Sequence, residues 1–162
     1  MVGRGACSVH EEMTMPKTKL FIGSAAAAKS QAKALVNALT SATLEFLPWW
    51  DAFTPGSVLL SELEQIPTQV DGAVLVFSPE AQATVRKNTV MVPNLNVMFE
   101  FGYFYGMLGH TKVVMVKYGD FYLPSDFGGY IHIFGSTFFE RNKVCPVGTR
   151  TKTEFGKWLA AL

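Results

Sequence analysis

The chain of 162 residues has little charge, few histidines and only two cysteines. Asp, Glu, Lys and Arg make up 17% of it, against roughly 25% in an ordinary globular domain. Fourteen basic and 13 acidic residues leave a net charge of +1, which excludes an electrostatic nucleic-acid binder. Cys7 and Cys145 stand alone without metal-ligand spacing, and His10, His110 and His132 form no ligand cluster with them. A zinc site is therefore excluded, and the thiols read as reduced bystanders in a cytoplasmic protein. No stretch approaches ~18 uninterrupted apolar residues, so no membrane span is expected. The first sixteen residues carry one Arg, two Glu and no apolar h-region, so no signal peptide is expected there.

What the chain has in quantity is apolar and aromatic surface. Hydrophobic residues make up 49% and aromatics 13%, with 13 Phe, which excludes disorder. The length suits one domain, able to bury roughly 70% of its unfolded surface. A mean hydropathy of +0.20 is high for a soluble monomer. It implies surface buried against partner subunits or against a missing part of a longer chain.

The order of elements alternates. Lys19 to Ile22 is a short apolar run stopped by Gly23-Ser24, a buried first strand. Ala25 to Leu39 is Ala-rich, with Leu35, Val36 and Leu39 on one helical face. Thr43 to Trp50 reads as a second strand with Pro48 at its end or edge. Pro55-Gly56-Ser57 is a turn, and Ser57 is placed to cap a short helix that Pro67 stops after Ile66. Ala73 to Phe77 is a continuous apolar run of the kind found in central parallel strands. Glu80 to Thr89 reads as a mobile loop or a poor helix, and Leu95 to Leu108 as a long, nearly all-apolar helix ended by Gly109. Lys112 to Tyr118 and Tyr130 to Phe134 follow as strands, and Thr151 to Leu162 as a closing helix. Strands separated by helices imply βαβ units, hence an α/β fold whose parallel sheet is covered on both faces. Residues 17–162 form one domain; residues 1–16 read as an N-terminal arm for which disorder is expected.

Glu100 is the only charged residue of the apolar helix. Val97, Phe101, Phe104 and Leu108 share a stripe, while Gly102 and Gly106 allow another element to come close. A helix apolar nearly all round is buried, and an ionised carboxylate inside it costs several kcal/mol unless paired. Two readings stay open: a salt bridge to a distant Arg or Lys, or a catalytic carboxylate facing a cleft. Asn96 lies one turn earlier on the same face, so both could reach one ligand. The second signal is the end of the first strand at Gly23-Ser24, where an open parallel sheet binds ligands. Trp49, Trp50, Asp51 and Phe53 follow the second strand on the same edge, suited to packing or to stacking on a base or nicotinamide ring.

The ordered set KLFIGS, PWWDAFTPGS, DGAVLVFSPE, NVMFEFGYFYGMLG and KVVMVKYGDFYLPSDFGG resembles the TIR-like domain family of predicted nucleotide-binding proteins, over about residues 17–135. In bacteria such domains serve as anti-phage effectors, often fused to STING, SAVED or other sensor modules. The resemblance implies a flavodoxin-like TIR fold with a central five-stranded parallel sheet. It also implies cleavage of NAD+ at the nicotinamide–ribose N-glycosidic bond, giving nicotinamide and ADP-ribose or a cyclic variant. By position, Glu100 matches the catalytic glutamate, and Gly23 and Ser24 the loop lining the nucleotide site. Trp49, Phe53 and Ser57 match the loop that closes over substrate and joins neighbouring domains, Ser78 the end of the third strand, and Asn96 the asparagine before the Val-x-Phe-Glu run. NAD+ is then substrate, with no cofactor or metal, no nucleic acid and no membrane as partner. The resemblance further implies activation by TIR–TIR self-association and leaves room for a sensor domain or partner outside the chain. Where the family often reads Pro-Arg-Asp-Asn, this chain has Pro93-Asn94-Leu95-Asn96, without the Arg and Asp that could hold phosphate or ribose.

Because nicotinamide leaves as a neutral molecule, no general acid is needed, and one carboxylate can stabilise the developing oxocarbenium ion. Two alternatives stand beside this reading. One is a nucleoside deoxyribosyltransferase-like enzyme, which shares an α/β sheet and a glutamate acting on N-glycosidic bonds. The other is a non-enzymatic TIR oligomerisation scaffold.

Overall fold

The computed structural model describes residues 16–53, 56–127 and 129–162. The expected arm over residues 1–16 lies, Pro16 apart, outside the described residues, as does Pro55 of the expected turn. In chain order the elements are β1 (Thr18–Ser24), α1 (Lys29–Leu39), β2 (Leu44–Pro48), α2 (Trp49–Ala52), α3 (Leu59–Gln65), β3 (Gly72–Phe77), β4 (Pro79–Val85), β5 (Asn88–Pro93), α4 (Leu95–Leu108), β6 (Val113–Tyr118), β7 (Ile133–Ser136) and α5 (Thr149–Leu159).

Five strands form one parallel sheet in the order β2-β1-β3-β6-β7, the flavodoxin-like order once the β4–β5 pair is set aside. The core strands are apolar on both faces, so each feeds two cores. Phe21, Ala73, Leu75, Phe77, Val113 and Met115 face α3 and α4. Leu20, Ile22, Val74, Val76, Val114 and Val116 face α1 and α5. This two-sided burial is why the runs read as continuously hydrophobic rather than alternating.

Four expectations are corrected. The second strand ends at Pro48, which has no N–H for the ladder, and Trp49-Trp50 open the helical turn α2 instead of extending the strand. Val58 rather than Ser57 occupies the N-cap of α3. Pro67 sits in the first turn of a 3₁₀ turn over Ile66–Thr68, where its missing N–H has no partner to lose. Glu80 to Thr89 is neither loop nor helix but most of an antiparallel hairpin, β4 with β5. Its two-residue turn is Arg86-Lys87, both at positive φ (48° and 71°), the left-handed pairing that matches the twist of a tight hairpin.

A fifth correction concerns α4. Its bounds are those expected, with Gly109 at φ 91° ending it. Val97, Phe101 and Phe104 are buried against the sheet, Phe104 stacking on Phe21 at 4.8 Å between ring centres. The opposite face is not covered. Leu95 is 76% exposed and Phe99 55%, and a Cβ added to Gly102 or Gly106 would meet nothing within 4 Å. Among the described residues no element makes the close approach those glycines permit.

Candidate active site

In a sheet of this order the connections leave β1 and β3 in opposite directions, which opens a crevice beyond their carboxyl ends. Gly23 and Ser24 end β1, and Ser78 follows β3 on the neighbouring strand. The residues assigned from the sequence to the first and third strand ends therefore lie side by side. Both serines are buried.

α4 packs on the face of β1 and β3 and carries Glu100 to this crevice. A Cβ built on Gly23 would stand 3.0 Å from Glu100 Oε2, 2.6 Å from Leu75 Cδ1 and 3.0 Å from Phe21 Cε1. Only glycine leaves room for the carboxyl at the strand end, so Gly23 and Glu100 fit as a pair. Among the described residues Glu100 takes part in no ion pair and no hydrogen bond, so the salt-bridge reading has no partner there. Burial raises its pKa from the usual 4.5 to about 7, and no neighbouring cation opposes that.

The indole of Trp49 donates from Nε1 to Ser24 Oγ at 2.9 Å, which ties α2 to the end of β1. Trp50 meets Trp49 edge to face at 5.9 Å. Phe53 packs partly buried in the core cluster that includes Phe21 and Phe104. Ser57 lies exposed between α2 and α3. Asn96 sits one turn before Glu100 on α4, exposed. In the altered segment, Asn94 is the N-cap of α4: its side-chain oxygen accepts from the N–H groups of Asn96 (2.9 Å) and Val97 (3.3 Å). Leu95 faces solvent.

One neighbour escaped the sequence reading. The Lys29 ammonium lies 5.1 Å from the ring centre of Trp49 and 5.3 Å from that of Trp50. Nothing in an Ala-rich helical pattern signals a contact twenty residues away in the chain. A hollow of about 670 Å³, lined by Tyr130, His132, Arg150 and Trp158 among others, lies at the far edge of the sheet between β7 and α5 and contains none of these residues. It lacks an unpaired acid: its one carboxylate, Glu154, is held by Arg150 and by the Phe134 N–H. Among the described residues no three His, Cys, Asp or Glu side chains are grouped to hold a metal, and no helix is long and apolar enough to cross a membrane.

The cluster can therefore offer a cation-stabilising carboxylate, hydroxyls at two adjacent strand ends and an indole wall. Residues 19–135 match the family described as CAP12/Pycsar effector protein, TIR domain. CD-NTase-associated protein 12 of Sphingobacterium faecium is 30% identical over 113 residues, 70% of this chain and 35% of that protein. Pycsar effector protein PaPycTIR of Pseudomonas aeruginosa is 30% identical over 124 residues, 73% of this chain and 40% of that protein. Protein tirC of Dictyostelium discoideum is 30% identical over 90 residues, 48% of this chain and 45% of that protein. The chain thus spans less than half the length of each of these relatives.

Proposed function

Because the chain belongs to the TIR domain family of CAP12/Pycsar effector proteins, bacterial anti-phage effectors, we propose that it is an NAD+ glycohydrolase domain switched on by self-association. The observation that carries this reading is Glu100: a half-buried carboxyl without a partner among the described residues, against a glycine, at the crevice of the sheet. Such a group is expensive to maintain unless a ligand uses it.

In the proposed reaction the bond between the ribose C1′ and the nicotinamide ring nitrogen breaks. Its electron pair goes to that nitrogen, so nicotinamide leaves neutral. Positive charge passes to the ribose as an oxocarbenium ion, which the Glu100 carboxylate stabilises more strongly than it does the ground state. Water adds at C1′ and loses a proton, completing ADP-ribose. Ser24, Ser78 and Asn96 supply hydrogen-bonding groups around the ribose, and Trp49 a wall for a ring.

The bare face of α4 supports the assembly part of the reading. Leu95, Phe99, Gly102 and Gly106 recur at helical spacing on it, apolar or without a side chain. The test is nicotinamide release from NAD+ at high protein concentration, with and without a crowding agent, for wild type beside Glu100→Gln. Release by wild type alone, rising faster than linearly with concentration, is expected. Equal release by Glu100→Gln overturns the assignment. No release from either, with self-association confirmed by light scattering, favours the scaffold reading.

A further inference from the structure

The crevice presents a carboxyl for the ribose end of a dinucleotide, but none of the residues assigned so far carries positive charge. A dinucleotide brings a diphosphate with two negative charges. Lys29 is half-buried at the start of α1, with its ammonium near both indoles. Among the described residues it takes part in no ion pair, so the charge is uncommitted. The indole faces fix the ammonium without using its three N–H donors as a carboxylate would. Trp49 in turn is hydrogen-bonded to Ser24, the residue after Gly23, so a short series of contacts links this cation to Glu100. Lys33, one turn along α1, stands 5.8 Å from the Trp50 ring centre. It borders a hollow of about 360 Å³ lined also by Val36, Asn37, Pro48, Trp50 and Asp51, within the ~300–1,000 Å³ range of small-molecule sites.

We propose that Lys29, held over Trp49 and Trp50, binds the diphosphate of the substrate and thereby selects dinucleotides over nucleosides, the far nucleoside running toward the hollow beside Trp50. This rests on the glycohydrolase reading for the identity of the substrate, but the binding site itself is testable without turnover. A phosphate on a flexible surface lysine would be screened and disordered. Here the ammonium is preorganised by two rings, so less freedom is lost when the anion arrives.

The experiment is calorimetric titration of ADP-ribose and of adenosine into wild type, Lys29→Gln and Lys29→Arg, with nicotinamide release measured in parallel. ADP-ribose affinity is expected to fall roughly tenfold or more in Lys29→Gln and to return for the most part in Lys29→Arg. Adenosine is expected to bind Lys29→Gln no more weakly than wild type, and the salt dependence of ADP-ribose binding is expected to flatten. Equal ADP-ribose affinity in wild type and Lys29→Gln overturns the proposal. So does an equal loss for adenosine, which would mean that the indole wall had collapsed, or the absence of ADP-ribose binding by wild type. The two readings fail separately. Lys29-dependent ADP-ribose binding without nicotinamide release keeps this site and removes the enzyme. Nicotinamide release with a KM indifferent to Lys29→Gln keeps the enzyme and removes this site.

Discussion

Glu100→Gln removes a titrating carboxyl while keeping its shape beside Gly23, so its effect on stability isolates the cost of burying charge. In the folded chain the carboxyl titrates at about 7 rather than 4.5, with burial as the cause. The folded state therefore holds its proton more tightly than the unfolded state does. Stability is full below about pH 4.5, falls as pH rises through the interval up to 7, and levels off near pH 8. The whole interval corresponds to ~3 kcal/mol. Since Glu100 is half-buried rather than sealed, between about 1.5 and 3 kcal/mol is expected. Gln never ionises, so the variant escapes this loss. At ~2–4 °C per kcal/mol for a domain of this size, Tm of Glu100→Gln should exceed wild type by roughly 3–12 °C at pH 8, and the two should converge near pH 4.5. Thermal unfolding followed by circular dichroism at pH 4.5, 6 and 8 measures this. The catalytic readout has the opposite sense: wild-type kcat/KM should rise through about pH 7 as the carboxylate forms. A Tm difference that is absent, or the same at all three pH values, refutes the claim that Glu100 is half-buried without a partner.

Two further substitutions probe the same corner of the fold. Gly23→Ala places a methyl 2.6 Å from Leu75 Cδ1 and 3.0 Å from Glu100 Oε2, so a loss of about 1–3 kcal/mol in denaturant unfolding is expected, together with displacement of the carboxyl and loss of nicotinamide release. Asn94→Ala removes the acceptor of two first-turn N–H groups of α4 and should cost about 1 kcal/mol in the same assay, with Asn94→Asp or Asn94→Ser recovering most of it.

The fold was legible where one physical signal dominated. Residues 73–77 and 112–118 read as core strands because both faces are buried, and α4 read to the residue because an apolar helical run ends at a glycine free to take positive φ. The β4–β5 hairpin was not legible: its turn is Arg86-Lys87, without the Asn or Gly that announces two consecutive left-handed residues. Trp49-Trp50 misled because aromatic residues suit strands, whereas Pro48 had already ended the pairing. At the site, Glu100 stood out as a lone charge among apolar neighbours, and Gly23-Ser24 followed from the topology of parallel sheets, whereas Ser78 came only with the family resemblance. Lys29 could not stand out, since its meaning depends on indoles that only the folded chain brings near.

The exposed and buried faces of α4 together explain why a domain would keep its costs where it does. The side packed toward the sheet holds an acid that opposes folding above neutrality, and the opposite face leaves Leu95 and Phe99 in water. Neither feature helps an isolated chain. A cationic nicotinamide ribose beside Glu100 would favour the ionised form, and a second surface laid on Gly102 and Gly106 would remove apolar area from water. Both changes fall on the same rigid helix, so an assembly that fixes α4 from outside also holds the carboxyl in place inside. On that argument the self-associated domain should bind substrate more tightly than the free one, and by the reciprocity of linked equilibria substrate should in turn promote association. A carboxyl set on a loop would not couple the two events, because motion of the loop would absorb the constraint.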